Sequence, residues 1–196
     1  MSDVQKIKYY TDQHYAYYIT HKNKVADNFS KLLKLDIGYD AYANLLTRSN
    51  KHDISKVEDE EEKSGYIYMS AELEGVKYGS EKYNQIMSKY KKFVDMHYKN
   101  NSHHPEHYEL PPFSCDKGQG YTMMSVFDKA EMICDWCAVI QTKNLEKDYK
   151  NNLEINKKRF NIPDSDFKQI LQIAEYLLFD KPLICNIFIN ELKTSH

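Results

Sequence analysis

Residues 39–56 read YDAYANLLTRSNKHDISK, and this stretch decides the predicted fold. Its apolar side chains recur at the three- and four-residue spacing of an amphipathic helix, at Tyr42, Leu45 and Leu46. A stop signal precedes it at Asp36-Ile37-Gly38, so a helix is expected from Tyr39 to Lys51. His52-Asp53 follows at once. The doublet therefore lies at a helix C-terminal end, where two adjacent side chains are able to turn toward one centre.

Helical spacing continues on both sides of this stretch. Residues 3 to about 35 predict one long helix, or two helices that break near Thr20. Ser80 is expected to cap a helix that runs to about residue 100. Ser125 or a residue near it is expected to open one that runs to about residue 142. Further helices are predicted over residues 145–160, 165–179 and 183–192. The acidic run 58–62 between these helices predicts a solvated loop or helix face.

The fold class that follows is all-α. The chain has six glycines and five prolines, and no stretch alternates strictly enough to predict a sheet. Its 196 residues fit one domain, which we expect to be a compact bundle of seven or eight helices over residues 1–196. The metal-site core is predicted within residues 14–142, and the helices over 145–194 are expected to pack against it.

Charge and hydropathy exclude several classes of protein. The chain has 27 basic and 29 acidic residues and a net charge of −2, so strong binding to duplex nucleic acid is not expected. No apolar run is long enough to span a bilayer, and the N-terminus lacks the apolar segment of a signal peptide. We therefore expect a cytoplasmic protein with reduced cysteines, at Cys115, Cys134, Cys137 and Cys185. The C-x-x-C pair beside Trp136 is interpreted as buried thiols.

The histidines point to the chemistry, because seven of the eight precede residue 108. Neutral imidazole is the commonest protein ligand for first-row metals, and carboxylates complete such sites. The candidate ligands in chain order are His21, His52, Asp53, His97, His103, His104 and Asp135. His14 is interpreted as a hydrogen-bonded core residue. His107 stays open as a ligand, a residue supporting a ligand, or a loop residue.

The order H…HD…H…HH…D resembles that of the HD-domain superfamily of metal-dependent phosphohydrolases. The sequence His52-Asp53-Ile54-Ser55-Lys56 resembles the family's H-D-x-x-K form. The resemblance implies an HD-domain-like fold with Asp53 as a bridging ligand. Carried over residue by residue, it implies His21, His52, Asp53 and Asp135 around a first ion, and His97 with His103 or His104 around a second.

A narrower resemblance covers roughly residues 20 to 160. The blocks that carry it are KHDISK at 51–56, YGS at 78–80, HYKNNSHHPEH at 97–107 and EMICDW at 131–136. These blocks resemble a group of phage and bacterial proteins to which no substrate is assigned. The likeness therefore names relatives of this chain and leaves the substrate open.

The superfamily resemblance implies hydrolysis of a nucleotide or another small phosphate ester by a metal-activated water. One or two divalent ions are expected, from among Mn, Fe, Co, Ni, Zn and Mg. The predicted catalytic residues are Asp53, Lys56 and Glu131. Lys56 would hold a phosphate as a point charge, and Glu131 would orient a ligand histidine or the attacking water.

Two alternatives remain open at this point. A di-iron centre of the HD type would carry out oxidative cleavage. A viral or phage protein without catalytic activity would use the same ligands to stabilise a binding fold. Residues 183–192 are apolar enough to predict a homodimer face.

Overall fold

Every regular element that the computed structural model describes, over residues 3–77, 79–183 and 187–195, is a helix. The α-helices are α1 (Asp3–Leu32), α2 (Tyr39–Lys51), α3 (Ser55–Glu58), α4 (Glu60–Leu73), α5 (Glu81–Lys89), α6 (Lys91–Asn100), α7 (Gly120–Met123), α8 (Val126–Thr142), α9 (Tyr149–Arg159), α10 (Asp164–Phe179) and α11 (Ile187–Thr194). Two short 3-10 helices cover Pro105–Glu109 and Glu146–Asp148. The predicted all-α class is confirmed, with eleven α-helices in these described residues instead of seven or eight.

The helix boundaries follow local sequence signals in most places. The first helix is unbroken at Thr20, and α2 ends at Lys51 so that His52 caps it, as predicted. The prediction of a single helix over residues 80–100 is wrong, because Tyr90 leaves the helical conformation and separates α5 from α6. The helix α4 was not predicted. Its apolar residues are spaced too irregularly to form one stripe.

Two compact units divide the chain. Unit 1 comprises the described residues up to Thr20 together with Asp53–Asn101. Unit 2 comprises His21–His52 and the described residues from Ser102 onward. Helix α1 contributes residues to both units. The prediction of one domain over the whole chain stays a prediction.

Unit 2 is built around α8, which contacts α2, α9, α10 and α11. Apolar side chains from these helices and from α1 form its core, and many are fully buried, among them Phe29, Leu45, Ile133, Leu153 and Leu177. A buried amide also joins α1 to α8, since Asn28 donates hydrogen bonds to the Cys134 carbonyl and to Gln141. These contacts hold α8 in place within unit 2. The same helix carries several buried acidic residues.

Ser125 begins α8 with a capping box. Its hydroxyl oxygen accepts a hydrogen bond from the backbone N–H of Asp128, and the Asp128 carboxylate accepts one from the backbone N–H of Ser125. The prediction that Ser125 opens this helix is confirmed. Two N–H groups that the helix itself leaves without partners are satisfied in this way.

Replacing Ser125 by alanine is expected to lower the free energy of unfolding by about 1 kcal/mol, because the cap is lost. The fluorescence of Trp136, the single tryptophan of the chain, reports on α8 during urea denaturation. Ser165→Ala serves as the control, since Ser165 is exposed and its hydroxyl bonds only the side chain of Asp166 in the described structure. Equal stability of Ser125→Ala and the wild type would contradict the capping role.

Unit 1 is centred on α4, which contacts α3, α5 and α6. Its small core consists of Met69, Ile86, Tyr90 and Val94. The prediction that the acidic run is solvated is wrong at Glu62, which is fully buried in α4. Polar partners make this burial tolerable, since Ser55 and Asn100 donate hydrogen bonds to its carboxylate.

The described helices include none with the length and apolar content needed to cross a membrane. Cys134 and Cys137 are buried free thiols, as predicted, and Cys115 is a free thiol that is half-buried. Cys185 lies outside the described residues, as do Tyr78 of the YGS block and part of the helix predicted over 183–192. The described part of that helix, α11, contacts α8.

Candidate metal centre

Helix α8 presents three carboxylates along one buried face. Asp128, Glu131 and Asp135 follow one another at spacings of three and four residues, which places them on the same side of a helix. All three are buried. Carboxylates in such a position require donors or cations around them, and unit 2 supplies both.

Asp135 contacts His21 of α1 and lies near His52, the residue that follows α2. Its Oδ1 atom is 2.9 Å from Nε2 of His21 and 3.9 Å from Nε2 of His52. A metal ion held about 2.0–2.2 Å from each ligand places neighbouring ligand atoms roughly 3–4 Å apart. Both separations therefore suit ligands of a shared ion.

Glu131 lies one turn earlier on α8 and contacts the Nδ1 atoms of two imidazoles. Its Oε1 atom is 2.9 Å from Nδ1 of His52 and 3.2 Å from Nδ1 of His103. Its other oxygen accepts a hydrogen bond of 2.9 Å from Arg48. One carboxylate thus contacts two imidazoles and a guanidinium.

The histidine pair after Ser102 completes the group. The rings of His52 and His103 have centroids 4.6 Å apart, and those of His103 and His104 are 4.1 Å apart. His103, His104 and Asp135 each offer a ligand atom within 4.8 Å of the other two. His52, His103 and Glu131 form a second such trio. Imidazole nitrogens and carboxylate oxygens are donors that first-row divalent metals accept, so this group could hold a metal ion.

A hydrogen-bond network centred on Asp128 holds the segment that precedes the histidine pair. Asp128 accepts hydrogen bonds from the hydroxyls of Ser102 and Ser125 and one of 2.8 Å from that of Tyr108. Arg48 reaches the same carboxylate at 2.9 Å. Because Ser102 immediately precedes the histidine pair, the network fixes the segment that carries His103 and His104.

Electrostatics keep these carboxylates ionised. Burial on its own raises the pKa of Glu131, but electrostatic attraction and hydrogen bonds from His103 and His52 outweigh it and hold that pKa well below its usual range. Burial likewise opposes ionisation of Asp135, and the hydrogen bond from His21 with the neighbouring His52 and His103 lowers the pKa of Asp135. The carboxylates are therefore negative and available to a cation.

Unit 1 contains a second buried polar group. Asp53 forms an ion pair of 2.6 Å with Lys56 and lies 3.4 Å from Nε2 of His97. The Nδ1 atom of His97 is 2.8 Å from Glu62, whose pKa is raised by burial. Asp53 has a φ of 52°, a left-handed conformation that aspartate tolerates better than most residues.

The predicted site residues thus fall into two groups. Unit 2 brings together His21, His52, His103, His104, Glu131 and Asp135, and unit 1 brings together Asp53, Lys56 and His97. The bridging role of Asp53 and the second ion at His97 stay predictions. The prediction that His14 is a hydrogen-bonded core residue is confirmed, since His14 is buried and its Nε2 atom lies 3.1 Å from the Lys56 carbonyl oxygen. Among the described residues, His107 joins no candidate ligand group and contacts the rings of Tyr108 and Phe113.

Three supporting residues were missed by sequence reasoning, namely Arg48, Glu62 and Ser102. Arg48 lies four residues before His52, one helical turn away, and is one of only two arginines in the chain. An arginine on the face of a predicted ligand is a signal that sequence reasoning had at hand. The roles of Glu62 and Ser102 depend on contacts that no local pattern shows.

Comparison with known proteins places this arrangement in a family. Residues 10–176 match the model of a family of unknown function, DUF5662. The chain belongs to DUF5662. No curated protein and no solved structure matches the chain. The residues of both polar groups lie within the matched range, 10–176.

Proposed function

We propose that this DUF5662 protein is a metal-dependent phosphohydrolase of the HD type that acts on a nucleotide or another small phosphate ester. The observation that carries the proposal is the buried set of donors around Asp135, with Nε2 of His21 at 2.9 Å and Nε2 of His52 at 3.9 Å. A buried carboxylate among three or four imidazoles has the donor set of a divalent metal centre. The order of these residues in the chain, with His52 before Asp53, carries the resemblance to the HD superfamily.

The proposal assigns different roles to different residues of the site. His21, His52, His103, His104 and Asp135 would hold the metal. A divalent ion at such donors supplies nucleophilic hydroxide near neutral pH and neutralises charge on phosphoryl oxygens. Glu131 would keep the imidazoles in position, and burial would exclude bulk water from the ligands.

Lys56 is the proposed phosphate contact. Its ammonium is paired with Asp53, and its side chain is about one-fifth exposed. An ammonium binds phosphate as a point charge and requires no fixed fork geometry. The proposal of a phosphorylated substrate rests on this cation and on the superfamily resemblance.

Metal content and turnover test the proposal together. Protein purified without chelator is expected to contain Mn, Fe, Co, Ni, Zn or Mg and to hydrolyse at least one member of a panel of nucleoside mono-, tri- and cyclic phosphates. Chelation is expected to abolish turnover and lower the melting temperature, because a ligand that binds only the folded state stabilises it. Adding the same metal back is expected to restore both.

Two results would contradict the hydrolase. Iron with O₂ consumption and no release of phosphate would favour the di-iron oxygenase. Unchanged stability after chelation, with no turnover of any compound, would favour a binding protein without catalytic activity. Calcium in place of the native metal is the control for the add-back, since Ca²⁺ prefers oxygen donors over imidazole.

A further inference from the structure

Both imidazoles beside Glu131 face it with the same ring atom. The Nδ1 atoms of His52 and His103 lie 2.9 and 3.2 Å from the single oxygen Oε1. Within the described residues, the third polar partner of Glu131 is Arg48, which donates to Oε2 at 2.9 Å. All three partners are therefore nitrogen atoms around one carboxylate.

A guanidinium has only donors, and an ionised carboxylate has only acceptors. A neutral imidazole carries its hydrogen on one ring nitrogen, and the other nitrogen then has a lone pair. If Nδ1 donates to Glu131, the lone pair lies on Nε2. The Nε2 atom of His52 is the one that faces Asp135, at 3.9 Å.

We propose that Glu131 is a shared positioning residue, held by Arg48, that fixes His52 and His103 with the hydrogen on Nδ1 and thereby assigns Nε2 of both rings to the metal. The inference rests on the proposed metal centre for its purpose. The hydrogen pattern itself belongs to the protein alone and is measured without metal.

Arg48 has two tasks in this arrangement. Its Nη1 atom lies 2.9 Å from Glu131 and 2.9 Å from Asp128, so one cation is shared by two carboxylates on successive turns of α8. Its Nε atom donates to Asn44 at 2.9 Å, which ties the guanidinium to α2. Arg48 thus prevents Glu131 from turning away from the imidazoles.

Nitrogen NMR of histidine-labelled, metal-free protein at pH 9 tests the hydrogen pattern, since an ordinary imidazole is neutral there. Single His52→Gln and His103→Gln variants assign the signals. We expect protonated Nδ1 in both rings. A ring at either position with an unprotonated Nδ1 would overturn the inference, whether or not the protein binds metal.

Glu131→Gln provides the second test. The new amide has one oxygen, which Arg48 attracts, so its NH₂ group would face the imidazoles and require Nδ1 to accept. We expect the hydrogen to move to Nε2 in at least one ring and zinc affinity to fall roughly 10–100-fold, as for other outer partners of metal ligands. Arg48→Gln is expected to weaken zinc binding in the same range.

Matched variants separate this role from general stability. Glu109→Gln changes a half-buried carboxylate of unit 2 that bonds the Gly118 backbone, and Arg159→Gln changes the other arginine, which pairs with Glu106. Both are expected to leave the histidine signals and zinc affinity unchanged. Equal loss of zinc affinity in the control variants would overturn the positioning role. Failure of the wild type to bind zinc or any of the other metals expected above would instead refute the proposed metal centre, while the NMR spectrum still decides the hydrogen pattern.

Discussion

Replacing Asp135 by asparagine is expected to abolish metal binding and any phosphate-ester hydrolysis while leaving the fold intact. The substitution keeps the size of the side chain and an oxygen that accepts from His21, so α8 retains its packing. It removes the negative charge that contacts Nε2 of His21 and faces Nε2 of His52. Losing a residue that only hydrogen-bonds a metal ligand lowers metal affinity roughly 10–100-fold. Losing a direct ligand should lower it further, so zinc is expected to bind at least about 100-fold more weakly.

A competition titration with a zinc chelator measures this change, and circular dichroism checks the helix content. Asp148→Asn is the matched control, because Asp148 is an exposed aspartate of the same unit, outside the candidate ligand groups of the described residues. It is expected to bind zinc like the wild type. Wild-type affinity in Asp135→Asn would remove Asp135 from the ligands and with it the proposed centre.

The helices of this chain could be predicted where apolar spacing and caps agree. The stretch 39–51 forms α2 with the predicted bounds, and Ser80 and Ser125 accept the capping hydrogen bonds expected of them. Both signals are local, because a helix stripe and its cap lie within a few turns. Tyr90 shows the limit, since the spacing of apolar residues runs unchanged across a break between α5 and α6.

Burial of charge could not be predicted in the same way. Glu62 stands in a run of acidic residues, and such runs are usually solvated. Its partner His97 is 35 residues away, and the contact that makes burial tolerable exists only after α4 and α6 have packed. A single sequence shows the charge of a residue and leaves its distant partners hidden.

The candidate ligands could be named from the sequence, whereas the residues that support them could not. Histidine and aspartate are distinctive residues for metals, and their order in the chain raised the resemblance that named them. The position of Arg48 one turn before His52 marks it as a neighbour of the site, but its partner Glu131 is 83 residues away and cannot be identified from the sequence around Arg48. The support of a site is formed by tertiary contacts, and these supports are where the structure adds most to the sequence.

Gly120→Ala is expected to lower the free energy of unfolding by about 3 kcal/mol, the upper end of the usual range for overpacking. A Cβ atom at this position would lie 1.8 Å from the carbonyl oxygen of Pro105 and 2.7 Å from its carbonyl carbon. Both are backbone atoms, so no rotamer change relieves the contact. Pro105 directly follows the histidine pair, and its displacement should also shift His103 and His104 and weaken zinc binding.

Urea denaturation followed by Trp136 fluorescence measures the loss, since Trp136 stacks on Phe160 inside unit 2. Thr122→Ala in the same short helix α7 is the control, because Thr122 is exposed and substitutions of this kind usually change stability by less than about 0.5 kcal/mol. A loss for Gly120→Ala no larger than that of Thr122→Ala would contradict the close approach of α7 to Pro105. A large loss of stability with unchanged zinc affinity would show that the histidine pair keeps its position without the Pro105 contact, held by the Ser102 bond to Asp128 and by the contact of His103 with Glu131.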